Sequence, residues 1–203
     1  MFKVAVLISG NGTDLQSILD GVQSGYLNID ICAVISDKKD AYGLTRAKER
    51  EIPTYAVDRK NKAESVSDQI LEIIEGKADL VVLAGFLSIL SEKFVSKFEN
   101  RIINIHPSLI PSFCGNGMYG MNVHRKAIEY GVKVSGCTVH FVDKGTDTGP
   151  IILQKVVPVF FEDTPEILQK RILEKEHQAL PEAIKLISEG KVSIHGRKVR
   201  VCK

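Results

Sequence analysis

Cysteine is sparse in this chain, and what there is lies dispersed. Cys32, Cys114, Cys137 and Cys202 stand singly with no CxxC spacing, which argues against a zinc site or a disulfide framework and for reduced thiols in the cytoplasm. The five histidines are equally scattered, and no HxxxH pair sets two metal ligands on one helix face. No metal is therefore expected. No apolar run is long enough to span a bilayer, so no membrane partner is expected either. The apolar residues 4–8 are too few for a signal-peptide core and run directly into Ser9-Gly10-Asn11-Gly12, so no targeting peptide is expected. Repeats, linkers and low-complexity segments are also lacking.

Neither sign of charge dominates. The formal net charge is +2, but residues 191–203 carry five basic side chains (Lys191, Arg197, Lys198, Arg200, Lys203) and no acid. The remainder then holds 22 basic against 25 acidic residues. This basic tail is short and lacks interleaved aromatics, so nucleic acid is not an expected partner. Val192, Ile194, Val199 and Val201 flank a His195-Gly196 turn, which predicts a solvated terminal hairpin.

What is present reads as a soluble α/β protein. At 203 residues the chain fits one domain, 1–203, with 44% hydrophobic and 26% charged residues. Strand-like and helix-like segments alternate. Strands are expected over 2–9, 29–36, 53–57, 80–84 and 102–106, and the near-continuous apolar runs suit a parallel sheet. Helices are expected between them. Thr13 or Asp14 caps the first, which buries Leu15, Ile18, Leu19 and Val22 and ends before Gly25. Further helices cover 44–50 and 62–75, the latter with Val66, Ile70 and Ile73 or Ile74 inward, and Ser91 starts a short one carrying Phe94 and Phe98. Two more strand-like runs, 132–142 and 151–159, precede a helix that starts at Thr164-Pro165 and runs to about Ser188.

Three segments carry the chemistry. In a strand over 102–106, alternation puts Asn104 and His106 on one face, and Pro107 ends the strand. An amide donor beside a proton-transfer group at the carboxyl end of a strand suits a reaction that places negative charge on a carbonyl oxygen. A hydrogen-bonded structural histidine is the plain alternative. Asp147 lies on the glycine-punctuated loop 143–150, which can bring a carboxylate to another part of the fold, though a simple Asp/Gly turn is the commoner use. Ser9-Gly10-Asn11-Gly12-Thr13-Asp14-Leu15 joins strand to helix and resembles a phosphate cradle. A dinucleotide fingerprint fits less well, because Leu15 stands where the third glycine belongs, although Asp37 after the second strand keeps it open. A ligand-free βα turn is the third reading.

Together with Leu83-Ala84-Gly85-Phe86-Leu87-Ser88-Ile89-Leu90, Asn104 to Pro111 and Asp147-Thr148-Gly149-Pro150-Ile151-Ile152-Leu153-Gln154, that glycine turn resembles the folate-dependent phosphoribosylglycinamide formyltransferases over nearly the whole chain. The resemblance implies a Rossmann-like, mainly parallel sheet flanked by helices, with a C-terminal helix and a short hairpin tail. It implies small-molecule substrates, 10-formyltetrahydrofolate as co-substrate and no metal, in a monomer or homodimer. Asn104, His106 and Asp147 match the family's catalytic trio. Asn11, Gly12, Thr13 and Asp14 match the stretch that receives the ribonucleotide, and Glu176 a contact to its amine or ribose. Leu87, Ser88, Ile89 and Leu90, with Asn104, match the folate site. Some members carry arginine where this chain has Ser88. The glycine-rich loop 112–122 is expected to fold over substrate. Two relatives, a deformylase with an extra N-terminal domain and a methionyl-tRNA formyltransferase with an extra C-terminal one, exceed the length of this chain.

Overall fold

The computed structural model describes residues 1–60 and 65–202. The chain divides into two compact units, Met1–Asn104 and Ile105–Lys203.

In the first unit, β1 (Phe2–Ile8), α1 (Thr13–Gln23), β2 (Ile29–Ser36), α2 (Tyr42–Lys48), β3 (Thr54–Ala56), α3 (Val66–Ile74), β4 (Leu80–Leu83) and α4 (Glu92–Lys97) lead into β5 (Ile102–His106). The strands lie in the order β3-β2-β1-β4-β5 and all pair in parallel. A parallel sheet is covered on both faces, so its central strands must be apolar on both. Val4, Val6, Leu7 and Ile8 of β1 expose nothing to solvent, each worth roughly 1.5–3 kcal/mol on burial. Ser65 and Ser91 cap α3 and α4, their side chains accepting the amide protons of Asp68 and Phe94 at 3.1 and 3.2 Å. Phe94 and Phe98 stack with ring centroids 5.3 Å apart.

Several boundaries differ from expectation, each for a local reason. Helix α1 has Gly12 rather than Thr13 or Asp14 at its N-cap, in the left-handed conformation at φ 67°, and no side chain caps it. Val22 is only half-buried. Helix α2 starts at Tyr42, two residues early, behind Ala41, which has no side-chain cap to mark it. In α3 it is Ser67, Ile70, Leu71 and Ile74 that are buried, while Val66 and Ile73 are intermediate. The expected start of that helix at Lys62 lies outside the described residues.

The second unit contains α5 (Met121–Tyr130), β6 (Val134–Phe141), β7 (Ile151–Pro158), α6 (Pro165–Ser188), β8 (Val192–His195) and β9 (Lys198–Val201). β6 and β7 are antiparallel, with a register shift between Val139 and His140. The terminal hairpin forms as read, and β9 joins β7 in parallel at Ile151↔Lys198. Helix α6 begins with Thr164 at its N-cap and Pro165 in its first turn, and it packs on α5, β6 and β7. Pro181 lies inside α6 and is buried, so its missing N–H costs one ladder bond within a helix otherwise held by packing.

Helix α5 was not legible in advance. Its N-cap is Gly120 with no side-chain bond, and it follows a glycine run that reads as loop. Its buried positions Val123, His124 and Ala127, and its stop at Gly131 (φ 79°), are the signals that identify it.

Candidate active site

The second unit brings two of the sequence-derived residues together. His106 is the last residue of β5 and is 4% exposed. Its Nδ1 lies 3.5 Å from Asp147 Oδ2, and its Nε2 lies 2.9 Å from the Phe113 carbonyl oxygen. A carbonyl can only accept, so Nε2 carries the proton in that bond and Nδ1 is the nitrogen that faces the carboxylate. Asp147 holds φ at 57°, a left-handed conformation that aspartate tolerates better than most residues. Its Oδ2 also accepts the Gly115 amide proton at 2.9 Å. The loop 143–150 thus projects its carboxylate as the sequence suggested, on a strained residue held from two sides.

Two further histidines surround this pair, and sequence reasoning missed both. His140 of β6 has Nε2 3.7 Å from Asp147 Oδ1 and donates through Nδ1 to the Phe141 carbonyl, 2.8 Å away. Since that carbonyl only accepts, Nδ1 carries the proton. Burial pushes the His140 pKa down, against the opposing pull of the Phe141 carbonyl and Asp147. His124 of α5 is also buried, its Nδ1 has no hydrogen-bond partner, and desolvation followed by the charge of His106 lowers its pKa to about 4. A polar residue near the carboxyl end of an apolar strand was the available sign for His140. For His124 there was none without α5.

Asn104 closes the first unit. It sits half-buried on β5 opposite Leu83 of β4, two residues before His106.

The first unit also holds the glycine turn. Gly12 is buried, Asn11 exposed, and Thr13 and Asp14 intermediate, with Thr13 opening α1. A Cβ at Gly12 would come within 2.8 Å of Gly43 Cα, so the turn admits no side chain there. Burial raises the Asp14 pKa to about 6.

Beyond β4 the chain runs irregularly past the expected folate residues. Leu87 and Ile89 are 48% and 88% exposed, while Ser88 and Leu90 are half-buried. Leu87 and Ile89 are therefore not part of the core. The Leu87 amide donates to Ser9 Oγ at 2.8 Å. Ser88 donates to Asp37 Oδ2 at 2.6 Å, and Arg59 Nε stands 3.4 Å from the same oxygen. Asp37 Oδ2 is thereby engaged within the chain, while its Oδ1 is buried with no hydrogen-bond partner. Glu176 on α6 is 7% exposed, unusually buried for a glutamate on a helix. No three His, Cys, Asp or Glu side chains gather as a metal site among the described residues, and none of their helices is long and apolar enough to cross a membrane.

The glycine turn follows β1 and His106 closes β5, both at strand ends, where open α/β sheets bind ligands. The formyl transferase family model matches residues 2–184, and the chain belongs to that family. It is 45% identical to the phosphoribosylglycinamide formyltransferase of Haemophilus influenzae, covering 96% of this chain and 91% of the relative. A crystal structure of glycinamide ribonucleotide transformylase 1 from Symbiobacterium toebii superposes with a TM-score of 0.92 at 45% identity, covering 100% of this chain and 95% of that one. A formyltetrahydrofolate deformylase from Pseudomonas syringae superposes with a TM-score of 0.89 at 30% identity, covering 100% of this chain and 66% of that one.

Proposed function

We propose that this chain transfers the formyl group of 10-formyltetrahydrofolate to the amine of glycinamide ribonucleotide, a step of purine biosynthesis. The single observation that carries the reading is the His106–Asp147 pair, in which His106 closes β5 two residues after Asn104. The similarity to named formyltransferases over nearly the full chain supports the choice of substrates.

In this reading the amine attacks the formyl carbon, and the carbonyl oxygen becomes an oxyanion. The Asn104 amide donates an N–H to it, an effect worth roughly 3–4 kcal/mol. Asp147 orients His106, whose protonated form adds a second donor. A proton passes from the attacking nitrogen to the folate nitrogen through His106, Asp147 or an intervening water, and the C–N bond to tetrahydrofolate breaks. Atoms balance without a metal or a covalent enzyme intermediate. Asn11, Gly12, Thr13 and Asp14 receive the ribonucleotide phosphate and ribose, and Glu176 meets the amine or ribose. Leu87, Ser88, Ile89 and Leu90 line the folate. The two units work as one formyltransferase domain, which the single family model across both supports. Its four dispersed free thiols support a cytoplasmic setting. Small-molecule substrates, rather than nucleic acid or membrane, are its partners, and it acts as a monomer or homodimer.

The deformylase resemblance gives the second reading, in which water replaces the amine as acceptor. One assay tests both: 10-formyltetrahydrofolate with and without glycinamide ribonucleotide, following formylated product and free formate. Formate release that ignores the ribonucleotide would overturn the transfer reading.

A further inference from the structure

The glycine turn owes its shape to α2 as well as to its own glycines. The Gly10 carbonyl accepts the Gly43 amide proton at 3.1 Å, the Asn11 carbonyl accepts Arg46 Nε–H at 2.8 Å, and the Gly12 carbonyl accepts the Gln16 amide proton at 2.9 Å. In a trans peptide the C=O and the next N–H point in opposite directions. Capturing the Gly10 and Asn11 carbonyls therefore aims the N–H groups of Asn11 and Gly12 away from α2, and the Gly12–Gln16 bond along α1 leaves the Thr13 N–H pointing out of that helix's first turn, as an anion nest requires.

Two of the three captures are backbone to backbone. The middle one depends on a side chain, and that side chain is closely fixed. Arg46 Nη1 donates to Gln16 Oε1 at 2.9 Å, and the guanidinium lies 4.8 Å above the centroid of the Tyr42 ring. A planar fork can make both bonds and the stack at once, whereas a lysine ammonium cannot. Gly43 lets α2 come this close, since a Cβ there would run into Ile8 Cδ1.

We propose that Arg46 is a positioning residue for the substrate phosphate: it holds the Asn11 carbonyl turned away so that the turn offers the anion only N–H groups. This rests on the reading that residues 11–14 receive the phosphate. The guanidinium acts through the turn and does not touch the reacting atoms.

The test compares glycinamide ribonucleotide with its dephosphorylated riboside as acceptor, for the unmodified protein and for Arg46→Lys, Arg46→Gln and Tyr42→Leu. Both Arg46 variants are expected to raise KM for the ribonucleotide about tenfold, with kcat, folate KM and riboside kcat/KM all within about twofold of the parent. Tyr42→Leu, which alters a half-exposed ring, is expected to raise the same KM about threefold, and it carries the test if Arg46→Gln does not fold. Equal losses toward riboside and ribonucleotide, a fall in kcat at unchanged KM, or full function in Arg46→Lys would each overturn the role of Arg46. An unmodified protein that does not prefer ribonucleotide over riboside would instead overturn the phosphate reading itself, and this proposal with it.

Discussion

His106 and Asp147 face each other with Nδ1 3.5 Å from Oδ2, while the far nitrogen of the same ring is tied to the Phe113 carbonyl. The imidazole is thus clamped at both ends, and only the carboxylate end carries charge. Replacing Asp147 with Asn keeps the shape and removes that charge. The Asp147→Asn protein is expected to lose about a thousandfold in kcat, with both KM values changed by no more than a few-fold. Steady-state kinetics with both substrates varied would check this.

Asn104→Ala removes a donor and leaves the strand intact. Its kcat is expected to fall by about 10²–10³, the usual effect of deleting one oxyanion donor. A thermal melt should match the parent to within a few degrees, which separates lost chemistry from lost fold.

Buried His124 makes stability depend on pH in a definite direction. Its pKa in the fold is about 4 against an ordinary 6.5, so the unfolded chain binds the extra proton first as the solution is acidified. The contribution is fully present above pH 6.5 and is lost as the pH falls toward 4, amounting to roughly 3 kcal/mol across that window. His140 is shifted in the same direction and steepens the decline. Urea melts between pH 4 and 7 should show a shallower loss for His124→Gln than for the parent.

Ser88 supplies a short hydrogen bond to Asp37, whose side chain is wholly buried. Ser88→Ala deletes the donor and leaves Asp37 Oδ2 with only the Arg59 guanidinium, 3.4 Å away. A loss of about 1–3 kcal/mol is expected, visible as a lowered midpoint in chemical denaturation. If residue 88 also lines the folate, KM for 10-formyltetrahydrofolate should rise severalfold while that for the ribonucleotide stays put.

The strands of the first unit were readable because a parallel sheet demands uninterrupted apolar runs, and Val4 to Ile8 or Leu80 to Leu83 have no other use. Helices α4 and α6 are legible through Ser91 and Thr164, whose side chains bond the first turn, and α3 through its apolar spacing alone, with its true cap, Ser65, unread. Helices that begin on glycine or alanine give no such sign: the cap of α1 lies one or two residues before Thr13 or Asp14, α2 starts two residues before Leu44, and α5 is hidden behind Gly115, Gly117 and Gly120. With α5 went His124. His106 and Asp147 are each legible alone, as a strand end and a glycine loop, while their pairing is what the family resemblance implies. The contacts of His140 and Arg46 depend on register and on helix packing, which local pattern does not encode.

The bond from the Gly115 amide to Asp147 belongs to the main chain. Truncating the side chains around it leaves the donor in place, yet position 115 is not free to vary, because its φ of 88° is one that only glycine adopts without strain. Gly115→Pro would delete the N–H itself and expose how much the acid relies on it.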